Sequence, residues 1–357
     1  MSNHSRGINM QTTDDIVQEA SRRLVGPQAA LTARVLAGKE FIIKTGPCLE
    51  LLTKMLEWLS AGLQGAIVYG FPRLGKTFGA RWVLSQLRIA FGKTVPWVEV
   101  PLADQSLPHE GAFFQYLLRR ASHPHYRSGG RQDKRDRFTE AMVALASRSP
   151  IRTVVLLLDE AQFLDVKHFV WLLNVANELD AEGYRLFCLL VGQEPDLMDL
   201  KSRYIQDGLS QLVGRFMIGE WRFSGLTSAE QLGSCLSEMD EVKVPRKIGK
   251  PFPAHYVPQA YEAGWRLQQT QQLLWSGLSD LWISLRKDSV AIPMHYLSST
   301  VCFYLAEMHI NDGPALAHSE QAIKKAIGKS GLAEALAAYP MGEAEENSEE
   351  HQPESTT

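Results

Sequence analysis

The sequence predicts an α/β fold, a parallel sheet with flanking helices, followed by a small all-helical unit. Three observations predict it. A short apolar run, Gly65–Tyr69, enters a glycine loop and then a helix-forming stretch at 78–87. A second apolar run, 154–158, shows no alternation, as expected of a strand buried on both faces of a parallel sheet. After Thr227 strand signals vanish and helical spacing takes over.

The elements follow in order. Residues 1–13 are polar and expected to be disordered, 14–24 and 28–36 carry helical spacing, and 40–44 read as a short strand. An amphipathic helix at 47–59 precedes the glycine loop. A strand is expected at 94–100, then helices at 110–122 and 133–146 joined through Gly129 and Gly130. The buried strand ends at Leu158, a helix covers 166–179, a further buried strand covers 185–191, and the last strand 216–223. Strands alternating with helices imply parallel pairing and right-handed crossovers. Beyond them helices are expected at 229–238, 254–263, 266–285, 294–308 and 319–327, with a basic loop holding Lys243, Arg246, Lys247 and Lys250. The expected division is an N-terminal extension (1–38), an α/β base (39–226), a helical lid (227–330) and an acidic tail (331–357).

Composition narrows the class. The chain has 357 residues, 45% hydrophobic and 22% charged, as in ordinary globular proteins. No apolar stretch is long enough to span a bilayer, and the polar N-terminus lacks the apolar segment of a secretory signal. The four cysteines lie far apart, without zinc spacing, and read as reduced residues of a cytoplasmic protein. The net charge of −3 conceals an uneven distribution: residues 340–357 hold six glutamates and no Lys or Arg. That tail is expected to be disordered, as a solubilising end or a docking peptide for a basic partner.

The chemistry lies in the loop. Residues 70–77 read Gly-Phe-Pro-Arg-Leu-Gly-Lys-Thr, the phosphate-binding pattern G-x-x-x-x-G-K-[ST], between a strand and a helix as that pattern requires. Gly70 and Gly75 allow backbone N–H groups to turn toward a polyphosphate. Lys76 reaches the β- and γ-phosphates, Thr77 offers a hydroxyl to Mg²⁺, and Pro72, Arg73 and Phe78 join them as expected nucleotide contacts. Residues 156–162 read Leu-Leu-Leu-Asp-Glu-Ala-Gln, which sets two carboxylates at the carboxyl end of a strand, where open sheets bind ligands. Asp159 is expected to hold Mg²⁺ and Glu160 to polarise the attacking water. ATP with Mg²⁺ is the expected ligand, since the guanine-reading Asn-Lys-x-Asp segment is missing, and the segment 41–45 is the place to look for the adenine pocket.

Further parts of such an engine have candidates. Gln193, in Gly192-Gln-Glu-Pro195, is expected to sense the γ-phosphate and place the water. Arg215, with Arg203 as the alternative, is the candidate arginine reaching a neighbouring subunit's site, where such a group is worth about 10³–10⁵ in rate. Arg266 is the lid candidate for a phosphate contact. Arg119, Arg120, Arg127, Arg131, Lys134 and Arg135 form a basic cluster that suits sequence-independent contact with a DNA backbone or, equally, a solvated helix face.

The assembled pattern resembles the AAA+ ATPases, a P-loop NTPase base with a lid, and within them the transposition regulators of the TnsC/TniB group. The Leu-Leu-Leu-Asp-Glu-Ala-Gln run and the Gly-Gln-Glu-Pro turn carry the narrower likeness, and both are also similar to those of ExeA-type secretion ATPases. The resemblance implies ATP-driven self-association into rings or filaments on duplex DNA. It also implies coupling of a target-selector protein to a transposase, with the acidic tail a transposase contact. Many AAA+ proteins carry Asn or Thr where Gln193 stands. A helicase-loader-like ATPase, an ExeA-like ATPase acting through protein partners, and a nucleotide-gated scaffold are the alternatives, with no membrane association expected.

Overall fold

The computed structural model describes residues 43–104, 108–244, 249–286 and 288–338. The sequence expectations for 1–42, including the helices at 14–24 and 28–36, and for Arg246, Lys247 and 340–357 lie outside these described residues.

The base is a five-stranded parallel sheet in the order β2-β3-β4-β1-β5. Its strands are β1 (Gly65–Tyr69), β2 (Trp97–Pro101), β3 (Thr153–Asp159), β4 (Arg185–Val191) and β5 (Gly219–Arg222). Side-chain alternation along these buried strands feeds two separate cores. Ile67, Val154, Leu156, Leu158, Leu186, Cys188 and Leu190 face one layer. That layer is built from α3 (Glu110–Arg120), α4 (Arg131–Ala146), α5 (Val166–Ala181), α6 (Asp196–Gln206) and α7 (Ser210–Phe216). Ala66, Val68, Val155, Leu157, Phe187, Leu189 and Val191 face the other, against α1 (Gly46–Ser60) and α2 (Lys76–Ala90). Unbroken apolar strands are thus required, because both faces are covered.

The C-terminal helices hold a third core of their own. They are α8 (Ala229–Glu241), α9 (Pro258–Glu262), α10 (Gln271–Leu285), α11 (Met294–His309), α12 (Glu320–Lys329) and α13 (Leu332–Ala338). The buried Asp240 carboxylate ties this unit together, accepting from the backbone N–H groups of Leu267 (2.8 Å) and Gln268 (2.9 Å) ahead of α10. Asp240→Ala leaves two N–H groups without their acceptor and is expected to destabilise the protein by about 2–4 kcal/mol. Denaturant unfolding of the variant against the parent measures it.

Several boundaries differ from the sequence expectation. The last strand starts at Gly219 rather than at 216, because Phe216 closes α7 and its ring is buried among the helices. Helices α6 and α7 occupy a stretch left unassigned by periodicity. Strand pairing does not vanish after Thr227: Lys243–Val244 and Lys250–Pro251 form a two-residue antiparallel ladder. Residues 332–338, expected within the acidic tail, form a helix that buries Leu332 and Leu336 in the C-terminal core. Ile43 and Lys44 are not in a strand.

Candidate functional site

The glycine loop leaves β1 and closes on the N-terminus of α2, whose partial positive charge favours an anion. A Cβ on Gly70 would lie 2.4 Å from the Phe223 carbonyl oxygen, and Gly75 has φ +101°, so neither position accepts a side chain without strain. Lys76 is buried, and its ammonium donates to the carbonyls of Gly70 (2.8 Å) and Phe71 (2.7 Å). Burial pushes its pKa down to about 8, against the opposing pull of Glu160, Asp159 and Glu194. A lysine so destabilised in its charged form gains from a phosphate placed beside it.

Strand register assembles the acidic side. Asp159 pairs with Val191, and Gly192 donates to the Val68 carbonyl, so the ends of β3, β4 and β1 lie together. The Thr77 hydroxyl donates to the Asp159 carboxylate at 3.0 and 3.1 Å. Burial raises the Asp159 pKa, opposed by that hydrogen bond. Among the described residues no group of three or more His, Cys, Asp or Glu could hold a metal by itself. The Thr77 hydroxyl and Asp159 carboxylate supply only oxygen, which fits Mg²⁺ completing its shell with phosphate and water. The chain turns left-handed at Glu160 (φ 57°), and its Oε2 accepts from the amide of Gln193 (3.0 Å) and from that of Gln162 (2.6 Å).

These groups surround a cavity of about 500 Å³. Of the residues expected from the sequence, Pro72, Arg73, Gly75, Lys76, Thr77, Phe78, Asp159, Glu160 and Gln193 line it. Ile43 and Thr45, from the segment 41–45 expected near the adenine, line it too, and the structure adds a wall that sequence reasoning missed: Cys48 within α1, Phe223 after β5, and Met294, His295 and Ser298 at the start of α11. Thr45 carried a local signal, since its hydroxyl caps α1 by accepting from the Cys48 N–H. His295 carried none, because its partner lies 222 residues away: Arg73 Nη1 sits 2.8 Å from His295 Nε2. Burial first, then the Arg73 charge, lowers the His295 pKa, so the neutral ring accepts from the guanidinium.

Arg266 does not line the cavity. Its guanidinium donates to the carbonyls of Tyr261 and Trp265, both at 2.7 Å, and lies 3.8 Å over the Tyr261 ring. The helical unit borders the cavity through the start of α11 instead. Arg215 is tied to Asn177 and Asp180, both at 2.7 Å, at the amino end of the sheet, where Gln64 also binds Asp180. Arg203 is exposed on α6. The basic cluster is divided. Lys134 binds Gln115 at 2.8 Å and Arg135 binds Glu110 at 3.2 Å, which holds α3 against α4. Arg119, Arg127 and Arg131 are exposed, as is Arg120, whose Nε donates to the Glu99 carbonyl.

Comparison with known proteins agrees with this geometry. Residues 63–200 match the family model of the AAA domain. No curated protein sequence matches the chain. The ORC2 protein of Aeropyrum pernix in its ADP form superposes with a TM-score of 0.55 at 16% identity, covering 82% of this chain and 70% of that one. The same protein in its ADPNP-ADP complexes gives 0.52 at 14% identity, with the same coverage of 82% and 70%. At such identity the likeness concerns the fold. Among the described residues no helix is long and apolar enough to cross a membrane. Residues 63–200 thus match an AAA domain, and the parallel sheet, its flanking helices and the C-terminal helices together have the AAA+ P-loop fold.

Proposed function

We propose that this chain hydrolyses ATP with Mg²⁺ at the cavity between the glycine loop and α11. One observation carries the reading: Glu160, the residue after the Thr77–Asp159 pair, stands at the cavity wall with its carboxylate oriented by two amides. A nucleotide binder needs only the loop and the cation ligands. An oriented carboxylate beside them suits activation of water. The loop N–H groups, Lys76 and the start of α2 bind the phosphates; Thr77 and Asp159 would hold the cation, which would supply positive charge to the phosphate oxygens. Glu160 takes a proton from the attacking water, and Gln193 faces the same point from the end of β4. Arg73 and His295 join the loop to α11, so nucleotide at this site bears on the position of the helical unit.

The finer reading is a DNA-bound assembly that couples target selection to a transposase. It rests on the sequence resemblance, with the exposed guanidinium groups of Arg119, Arg120, Arg127 and Arg131 as the surface for a phosphate backbone. Of the two arginines considered for a neighbouring site, Arg203 is exposed, whereas Arg215 must first leave Asn177 and Asp180. The test is phosphate release and negative-stain microscopy with and without duplex DNA, imaged in a slowly hydrolysed ATP analogue. DNA-dependent rings or filaments are expected. ATP turnover with no response to DNA rejects the transposition reading and favours an ATPase that acts through protein partners.

A further inference from the structure

Glu160 is held by Gln162, which closes the 156–162 run but received no role from the sequence. The Gln162 carboxamide works at both ends: Nε2 donates to Glu160 Oε2 at 2.6 Å, and Oε1 accepts from the backbone N–H of Gln193 at 3.2 Å. The Gln193 side chain returns to the same Glu160 oxygen at 3.0 Å. A closed ring of hydrogen bonds thus links the end of β3, the 3-10 turn Ala161–Phe163 and the end of β4. Both amides load one carboxylate oxygen, and among the described residues no hydrogen bond reaches the other, which leaves it for a water.

The chain makes room for this arrangement. A Cβ on Gly192 would come within 2.6 Å of Gln162 Oε1, and also within 2.7 Å of Leu197 Cδ2. Its φ is not in the left-handed region, so backbone freedom is not the reason for glycine here; close approach is. Glu160 does take a left-handed conformation at φ 57°, a costly choice for a non-glycine residue that needs support from its surroundings. Gln162 supplies that support from two residues away. Edge strand β2, the other neighbour of β3, ends in Pro101 opposite Asp159 and supplies no hydrogen bond to Glu160 among the described residues.

We infer that Gln162 is a positioning residue for Glu160: it fixes the carboxylate oxygen that must face the water and locks it to the end of β4. The inference rests on the proposed ATP hydrolysis. Loss of the amide frees the Glu160 side chain to rotate, which affects the chemical step more than nucleotide binding, since Gln162 does not line the nucleotide cavity. Misplacement of about 1 Å costs up to about 100-fold in rate.

The experiment measures kcat, nucleotide Kd and melting temperature for the full chain and for Gln162→Ala and Gln162→Glu. Gln162→Ala is expected to lower kcat about 10- to 100-fold with Kd for a slowly hydrolysed ATP analogue unchanged. Gln162→Glu keeps the shape but replaces the donor with a charged acceptor beside Glu160. Among the described residues the other charged groups around this point are Asp159, Lys76 and Glu194 of the nucleotide site, and Asp196, Asp199 and Arg203, which line a second cavity together with Gln162. Like charge favours protonation of the introduced carboxyl, which then donates again. Its kcat relative to the parent is therefore expected to recover as pH falls from 8 to 5.5, while the ratio for Gln162→Ala stays flat. A structural defect alone gives no such recovery. Parent-like kcat in both variants, a raised kcat, or parallel loss of binding and melting temperature overturns the inference. If the parent chain releases no phosphate, the ATPase reading fails first and takes the inference with it; if Glu160→Gln turns over like the parent, hydrolysis stands and the inference alone fails.

Discussion

Glu160→Gln is expected to lower ATP turnover by about 10²–10⁴-fold while leaving ATP binding intact. Glutamine has the same length and keeps a carbonyl oxygen where Glu160 Oε2 accepts from Gln162 and Gln193. The local fold therefore has no reason to change, but the variant offers no base to the water. The nucleotide contacts proposed for the loop, Lys76 and Thr77 are left untouched by the substitution. Phosphate release beside binding of a fluorescent ATP analogue separates the two effects. Turnover at the parent level would assign water activation to another group. Affinity lost together with turnover would make Glu160 a structural residue.

Nucleotide affinity is expected to fall as pH rises through about 8, by up to tenfold per pH unit. Lys76 has a pKa of about 8 in the nucleotide-free protein, because burial opposes its charge. A polyphosphate in contact with the ammonium holds the proton more tightly. Above pH 8 binding must then take up a proton, and each further unit costs up to a factor of ten. Calorimetric titration at pH 7, 8 and 9 in buffers of different ionisation heat measures both the slope and the proton uptake. A flat Kd across that range refutes the linkage.

The same shift has a consequence for stability. Below pH 8 Lys76 is charged in both folded and unfolded chains, and the folded state bears a burial penalty of about 3 kcal/mol. Between pH 8 and the unfolded value of 10.5 the folded chain has released the proton and the unfolded chain has not, so this penalty disappears as pH rises. Lys76→Met at pH 7 removes the charge but leaves the Gly70 and Phe71 carbonyls without their donor. A net gain of about 1–2 kcal/mol in the nucleotide-free protein is expected, a rise in Tm of a few degrees, with nucleotide binding lost. Binding function and stability conflict at this residue, as they do where a site holds a charge ready for its ligand.

The sequence by itself determined the sheet and its chemistry. The buried strands at 65–69, 153–159 and 185–191 are unbroken apolar runs because both faces of the sheet are covered, and that pattern is local. Gly70, Gly75, Lys76, Thr77, Asp159 and Glu160 lie in contiguous motifs whose proposed roles follow from spacing along one loop or one strand end. Strand β5 was blurred because Gly219–Arg222 is only half buried and follows directly on α7, so neither period dominates. Tertiary structure alone decided the rest. His295 reaches Arg73 and Met294 covers Gly75 only because the helical unit folds back over the loop, held by the bridge between Leu226 and Ile292. Arg266 turned inward to Tyr261, Arg215 toward Asp180, and Lys134 and Arg135 toward the neighbouring helix, since a cation satisfies itself with whichever acceptor packing brings near. Motifs record contacts made along the chain. Contacts between residues far apart in sequence leave no periodic trace in it, and those contacts set the walls of the site and the orientation of Glu160.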